Sequence, residues 1–132
     1  MISLLKTKSI KEEVEKNPEG YKEIIDREQK LGICITDKNG YFIDFNERYL
    51  YIYSFKREEL LGEHFTIVAQ EKDKEGLTNL HNDFIKRRDE LLRFWEVKDK
   101  YGNLMRISAD AAYIEGLNPN CPCKITFVHI EM

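Results

Sequence analysis

The sequence lacks any long apolar run and contains little cysteine. No stretch approaches the roughly 18–20 consecutive apolar residues that span a bilayer, so we expect no membrane segment. Three cysteines among 132 residues are an odd number, which argues against the disulfide framework of a secreted domain. The spacing of Cys121 and Cys123 is narrower than the CxxC pairs typical of zinc sites, and we predict no metal site. These absences together predict a cytoplasmic protein with reduced thiols.

An excess of charge of either sign is also absent. The chain carries 21 basic and 24 acidic residues, a net charge of −3, although 34% of its residues are charged. A nucleic-acid-binding protein needs a basic face, so we expect no nucleic-acid partner. With 42% hydrophobic residues in 132, the chain is long enough for one domain with its own core.

Motifs of the common enzyme classes are missing. The sequence contains no GxSxG, no HExxH and no phosphate-binding glycine loop. An acid–base pair of Asp110 and His81 leaves open a small-molecule enzyme as an alternative. Otherwise we predict that the protein is not an enzyme and has no catalytic residues.

The first thirty residues follow a helical pattern with heptad-like spacing. Residues 1–30 are predicted to form an N-terminal helical extension, with a short helix near 9–16 and a firmer one at 18–30. Residues 31–132 are predicted to form the main domain. The spacing leaves open whether the firmer helix packs on its own domain or pairs with a second subunit. In a homodimer, the candidate contacts are Tyr21, Ile24, Ile25 and Leu31.

From residue 31 the apolar period changes from helical to strand-like. Helical spacing returns after residue 46 and again at 71–90. Strands at both ends of the chain with helices between them predict an α+β fold, in which one antiparallel sheet carries the helices on one face. The last strand is apolar on both sides and is predicted to lie at the centre of the sheet, beside the first. The strand-like runs are residues 32–37, 41–45, 92–98, 104–114 and 124–131.

Three motifs, taken in order, resemble the PAS family. Residues 32–46 read GICITDKNGYFIDFN, with a turn at the Asn-Gly pair; residues 58–65 read EELLGEHF; and residues 99–102 read DKYG. The resemblance covers residues 31–132. It implies a five-stranded antiparallel sheet of strand order 2-1-5-4-3, with a pocket beneath the helices that pack over one face.

The resemblance also implies a function. PAS domains sense small molecules, light, redox state or oxygen, or mediate protein association, and they commonly dimerise through a helix before the first strand. The expected function is therefore a stand-alone signal-transduction module that binds a small ligand in an apolar pocket or dimerises. Its output would act in trans, for example on a histidine kinase of a two-component system, unless the chain is a fragment of a longer sensor. The identity of the ligand and of the partner is left open.

Strand alternation and helical facing select the candidate pocket residues. No cysteine lies between Gly62 and Leu91, which excludes a flavin–thiol adduct in that segment. Some PAS domains bind haem through a histidine on the long helix, so a haem sensor with His81 as ligand is an alternative. We favour His81 as a polar group at the pocket edge whose N–H needs an acceptor; the cofactor stays unknown. The pocket candidates are Ile33, Ile35, Phe45, His81, Phe84, Met105, Ile107 and Phe127.

Overall fold

The computed structural model describes residues 2–87, 91–117 and 122–131, and the side chains of Leu91 and Leu92 are excepted. Cys121 of the closely spaced cysteine pair lies outside the described residues. Within them the helices are α1 (Leu4–Lys16), α2 (Tyr21–Arg27), α3 (Glu47–Tyr53), α4 (Arg57–Leu60) and α5 (Lys74–Arg87). The strands are β1 (Gly32–Thr36), β2 (Phe42–Phe45), β3 (Leu91–Lys98), β4 (Leu104–Ile114) and β5 (Cys123–Ile130).

The strands form one antiparallel sheet in the order β2-β1-β5-β4-β3. This order confirms the predicted topology, including the central position of the last strand. β5 pairs with β1 through Ile35 opposite Ile125, and with β4 through Ala111 opposite Thr126. No helix in the described ranges is long and apolar enough to cross a membrane.

A tight turn connects β1 and β2. The Asp37 carboxylate accepts hydrogen bonds from the backbone N–H groups of Asn39 and Tyr41, at 2.9 and 3.0 Å. Gly40 adopts a φ of +90°, and a Cβ there would lie 2.6 Å from Nε2 of His64. Both the left-handed backbone and the close approach of the histidine ring therefore require glycine at this position.

Helices cover both faces of the sheet. On one face α1 and α2 pack over what we call the N-terminal core; on the other, α3 packs over the pocket-side core. β1 is consequently buried along its whole length. The N-terminal core comprises Ile2, Ile10, Val14, Ile24, Ile25, Leu31, Ile33, Ile35, Ala112, Ile114, Cys123, Ile125 and Phe127. The pocket-side core comprises Cys34, Phe42, Phe45, Tyr49, Leu50, Ile52, Tyr53, Leu60, Val68, Val97, Ile107 and Val128.

The boundaries of the N-terminal helices differ from those predicted. α1 begins at Leu4 rather than near residue 9, because the Ser3 hydroxyl caps it by accepting a hydrogen bond from the Lys6 N–H at 3.3 Å. α2 ends at Arg27 rather than near residue 30. The Glu28 carboxylate explains this end, since it accepts hydrogen bonds from the backbone N–H groups of Lys30 and Leu31 at 2.8 and 2.7 Å.

The residues predicted to form a dimer seam lie in the chain's own interior. Ile25 is 0% exposed, Leu31 is 3% exposed and Ile24 is 8% exposed. The hydroxyl of Tyr21 donates a hydrogen bond to the Asp44 carboxylate at 2.8 Å. Of the two alternatives that the spacing allowed, the structure therefore has the helix packed on its own domain. The sheet buries the same apolar stripe that a second subunit would need.

Candidate functional site

A cavity of about 120 Å³ lies between the sheet and the helices that follow β2. Its walls are mostly apolar, and a few polar groups converge on it. β1, β3, β4 and β5 supply the floor, α3 and α5 supply two walls, and the segment around Phe65 closes a third. The lining residues are Cys34, Thr36, Tyr49, Tyr53, Phe65, Val68, Ala69, Leu77, Leu80, His81, Arg93, Trp95, Val97, Ile107, Ala109, Ala111, Lys124, Thr126 and Val128.

Two of the eight predicted pocket residues, His81 and Ile107, line this cavity. Three others belong to the N-terminal core on the opposite face of the sheet, so the predicted facing of β1 and β5 is wrong by one residue. The last three are placed nearby without lining the cavity. The misplaced residues are Ile33, Ile35 and Phe127; the neighbouring residues are Phe45 and Met105 in or against the pocket-side core and the buried Phe84 on α5.

The error has a physical cause. A strand that is buried on both faces has no solvent side, so its apolar residues alone do not reveal which face lines a pocket. In β1 and β5 the larger aliphatic and aromatic side chains face α1 and α2, while the smaller or polar ones face the cavity. The sequence does contain a signal for the correct face: in β5 the polar Lys124 and Thr126 alternate with the apolar Ile125 and Phe127, and β1 ends in the polar Thr36. The ladder pairs Thr36 with Lys124 and Cys34 with Thr126, so these polar positions share one face.

His81 is buried at the cavity wall with one ring nitrogen bonded. Its side chain is 1% exposed, and Nε2 lies 3.0 Å from the carbonyl oxygen of Lys38. A carbonyl only accepts hydrogen bonds, so Nε2 carries the proton. The acceptor that this N–H needs is thus supplied by the backbone. Nδ1 is left with a lone pair and no hydrogen-bond partner within the described part of the chain.

The environment of His81 keeps its ring neutral. Burial, and secondly the positive charge of Lys124, lower the pKa of His81 from 6.5 to about 4. Because the unfolded chain binds the proton first, this neutral histidine stabilises the fold fully above pH 6.5 and progressively less as the pH falls toward 4.

We expect His81→Gln to flatten the acid side of the stability profile. Glutamine retains an N–H donor for the Lys38 carbonyl but does not titrate. Urea unfolding of both proteins between pH 7 and pH 4 should show that the variant loses less unfolding free energy than the wild type. The difference should be at most the free energy linked to the binding of one proton. Since His64 also has a lowered pKa and is present in both proteins, its contribution cancels in the comparison. Parallel profiles would contradict the assignment of a buried neutral His81.

Lys124 places a positive charge inside the cavity. Its Nζ lies 4.5 Å from the ring centre of Phe65 and 5.7 Å from that of Phe84, and no carboxylate of the described residues pairs with it. Burial lowers the pKa of Lys124 to about 8, so the ammonium form still predominates at neutral pH. The neighbouring Thr36 is 0% exposed, and its Oγ1 has no hydrogen-bond partner among the described residues.

Cys34 is a buried structural thiol. It is 3% exposed and free, and it hydrogen-bonds to Tyr49 and Thr126. Burial raises the pKa of the Cys34 thiol to about 11. The thiolate is the nucleophilic form of cysteine, so this side chain contributes packing rather than reactivity at neutral pH.

The acid–base pair of the enzyme alternative is not brought together. The Asp110 carboxylate accepts a hydrogen bond from the Thr7 hydroxyl of α1 at 2.6 Å, and β4 alternation puts Asp110 on the face opposite Ala109 and Ala111, which line the cavity with His81. Among the described residues, no group of three or more His, Cys, Asp or Glu side chains is placed to hold a metal ion.

The arrangement around His81 does not fit haem. A cavity of about 120 Å³ is close to the ~150 Å³ that holds a benzene molecule, and a porphyrin is several times larger. In addition, Nε2 of His81 is committed to the Lys38 carbonyl. The His81 haem-ligand alternative therefore lacks the space that a porphyrin needs, and Nε2 is not available as a ligand.

Comparison with known proteins identifies the fold. No protein-family model matches the sequence, and no curated protein matches it significantly. Among solved structures, the chain is similar to a PAS domain from Colwellia psychrerythraea (TM-score 0.73, 18% identity, 86% of this chain and 95% of that one). It is also similar to a domain of a sensory box sensor histidine kinase/response regulator from Geobacter sulfurreducens (TM-score 0.68, 17% identity, 84% and 91%).

A third similar structure is the PAS domain, in complex with ethanol, of a LuxR-family transcriptional regulator from Burkholderia thailandensis (TM-score 0.65, 13% identity, 83% of this chain and 96% of that one). With the strand order 2-1-5-4-3, these likenesses confirm that the chain has the PAS fold.

Proposed function

We propose that this PAS-fold chain is a sensor module that binds a small, mainly apolar molecule in its cavity and passes the binding event to a signalling partner. The observation that carries the proposal is the cavity of about 120 Å³ beneath α3 and α5. Small-molecule sites are typically concave and apolar, with a few polar groups that fix the orientation of the ligand. Thr36, His81 and Lys124 are such groups here.

The relatives support the sensing part of the proposal. The Geobacter sulfurreducens domain is part of a sensor histidine kinase, and the Burkholderia thailandensis domain is part of a transcriptional regulator. By analogy, the receiver of the signal is a kinase or regulator acting in trans, or a second copy of this chain. A homodimer would use a surface other than Ile24, Ile25 and Leu31, since these side chains are already buried.

Filling the cavity should abolish binding without unfolding the protein. Ala111 lines the cavity from β4 and is 7% exposed, so Ala111→Leu places three additional carbon atoms in the empty space. Trp95, the single tryptophan of the chain, lines the same cavity and reports occupancy through its fluorescence. We expect benzyl alcohol, a neutral probe of suitable size, to change this fluorescence in a saturable way in the wild type and not in Ala111→Leu.

Ala111→Ser is the matched control, because it changes the same position but leaves the cavity open, and it should bind like the wild type. Native mass spectrometry of freshly purified protein tests in parallel for a co-purified small molecule. If Ala111→Leu titrates like the wild type, binding occurs elsewhere and the proposed site is wrong.

A further inference from the structure

The polar groups of the cavity are unbalanced in charge. The Lys124 ammonium contacts the faces of two aromatic rings but has no carboxylate partner among the described residues. A buried charge is costly unless it is paired and hydrogen-bonded, and aromatic faces compensate only part of that cost. The cavity therefore has a place for one negative charge that the described chain does not fill.

A second group at the same place also lacks a partner. Thr36 stands opposite Lys124 in the β1–β5 ladder, lines the same cavity and has a buried hydroxyl without a hydrogen-bond partner in the described ranges. A hydroxyl can donate a hydrogen bond to an anion that a neighbouring ammonium attracts. Two adjacent donors, one of them charged, match the two oxygens of a carboxylate.

The rest of the lining sets the remainder of the ligand. Away from Lys124 and Thr36, the sheet presents Trp95, Val97 and Ile107 to the cavity, and these side chains favour an apolar body. The volume of about 120 Å³ limits that body to roughly the size of a benzene ring. Arg93, the other cationic side chain of the lining, is exposed to solvent.

Building on the proposed sensor function, we infer that the ligand is an apolar monocarboxylate whose carboxylate binds Lys124 and Thr36 and whose hydrocarbon part fills the cavity. The charge of Lys124 is available for this at neutral pH, because burial lowers its pKa only to about 8. Binding would pair the half-buried ammonium and supply the missing partner of the Thr36 hydroxyl.

Benzoate and benzyl alcohol form a matched pair of probes, since both carry one phenyl ring and only benzoate is an anion at pH 7. Isothermal titration of the wild type should show benzoate binding roughly ten-fold to a hundred-fold more tightly, the range expected for a hydrogen bond to a charged group. Lys124→Met should remove this preference, so that the two probes bind the variant with similar affinity. The variant should also fold, because methionine fills similar space without burying a charge.

Lys86→Gln is the control, because it removes a positive charge from the exposed face of α5 and should keep the preference for benzoate. Thr36→Val should weaken benzoate binding to a smaller extent than Lys124→Met. If benzyl alcohol binds as tightly as benzoate, or if Lys124→Met retains the preference, the carboxylate inference is wrong while the proposed sensor function stands. If neither probe binds and Ala111→Leu behaves like the wild type, both are wrong.

Discussion

Removal of residues 1–27 is expected to abolish the folded state. Five side chains of this segment belong to the N-terminal core, and each is at most 8% exposed to solvent. Burial of each such side chain is worth about 1.5–3 kcal/mol. Their sum is comparable to the 5–15 kcal/mol that stabilise a typical domain. The truncated chain should show no cooperative urea transition by circular dichroism and should bind a hydrophobic dye. The five residues are Ile2, Ile10, Val14, Ile24 and Ile25.

Polar contacts also tie this segment to the sheet. The Thr7 hydroxyl donates a hydrogen bond to the Asp110 carboxylate at 2.6 Å, and the Tyr21 hydroxyl donates one to Asp44 at 2.8 Å. Truncation would leave both carboxylates, which are 8% and 5% exposed, without these donors. Leu5→Ala, at a side chain that is 84% exposed, is the control and should unfold like the wild type.

The truncation also separates the two interpretations of the N-terminal helix. A dimerisation helix that does not belong to the core would leave a folded monomer when it is removed. A truncated chain that is a monomer by light scattering and has the urea midpoint of the wild type by circular dichroism would contradict the packing of α1 and α2 on the sheet. Aggregation or an unfolded chain is the result expected from the exposure of Ile33, Ile35 and Phe127.

The sequence was more informative about the sheet than about the cavity. The existence of the strands and the central position of the last strand beside the first follow from local signals, such as the turn at Asp37–Gly40 and the doubly apolar last strand. The full strand order was implied by the resemblance to the PAS family, and all of these predictions were correct. Which face of β1 lines the cavity was predicted incorrectly, because Ile33 and Ile35 are as apolar as a pocket wall would require. Only the position of α1 and α2 on the far side of the sheet decides the facing, and that is a tertiary contact.

The site residues show the same division. The position of His81 on the inner face of α5 followed from helical periodicity, and the structure places it at the cavity. Lys124 was not among the predicted site residues, because a lysine in a central strand has no special local pattern. Its significance arises because no carboxylate of the described residues pairs with it, and this depends on tertiary contacts.

Asn46→Ala is expected to be the most destabilising single substitution outside the apolar core. The side chain of Asn46 caps α3: Oδ1 accepts a hydrogen bond from the Tyr49 N–H at 3.0 Å. The same oxygen accepts one from the Ile33 N–H at 2.9 Å. The amide nitrogen donates to the carbonyl oxygens of Ile25 and Leu31 at 3.1 and 3.0 Å.

These bonds join α2, β1 and α3 at one fully buried point, since Asn46 is 0% exposed. Alanine would leave two N–H groups and two carbonyls without these partners. One unsatisfied buried group costs about 1–3 kcal/mol, so we expect the free energy of unfolding to fall by roughly 3–5 kcal/mol after partial relaxation. Urea unfolding measures this loss. Asn46→Ser, whose hydroxyl can still accept a hydrogen bond from the Tyr49 N–H, should have a stability between those of the alanine variant and the wild type. Asn39→Ala, in the exposed turn, is the control and should change stability by less than about 0.5 kcal/mol. If serine is no better than alanine, the cap contributes nothing, and if alanine matches the wild type, the junction of the three elements does not depend on this side chain.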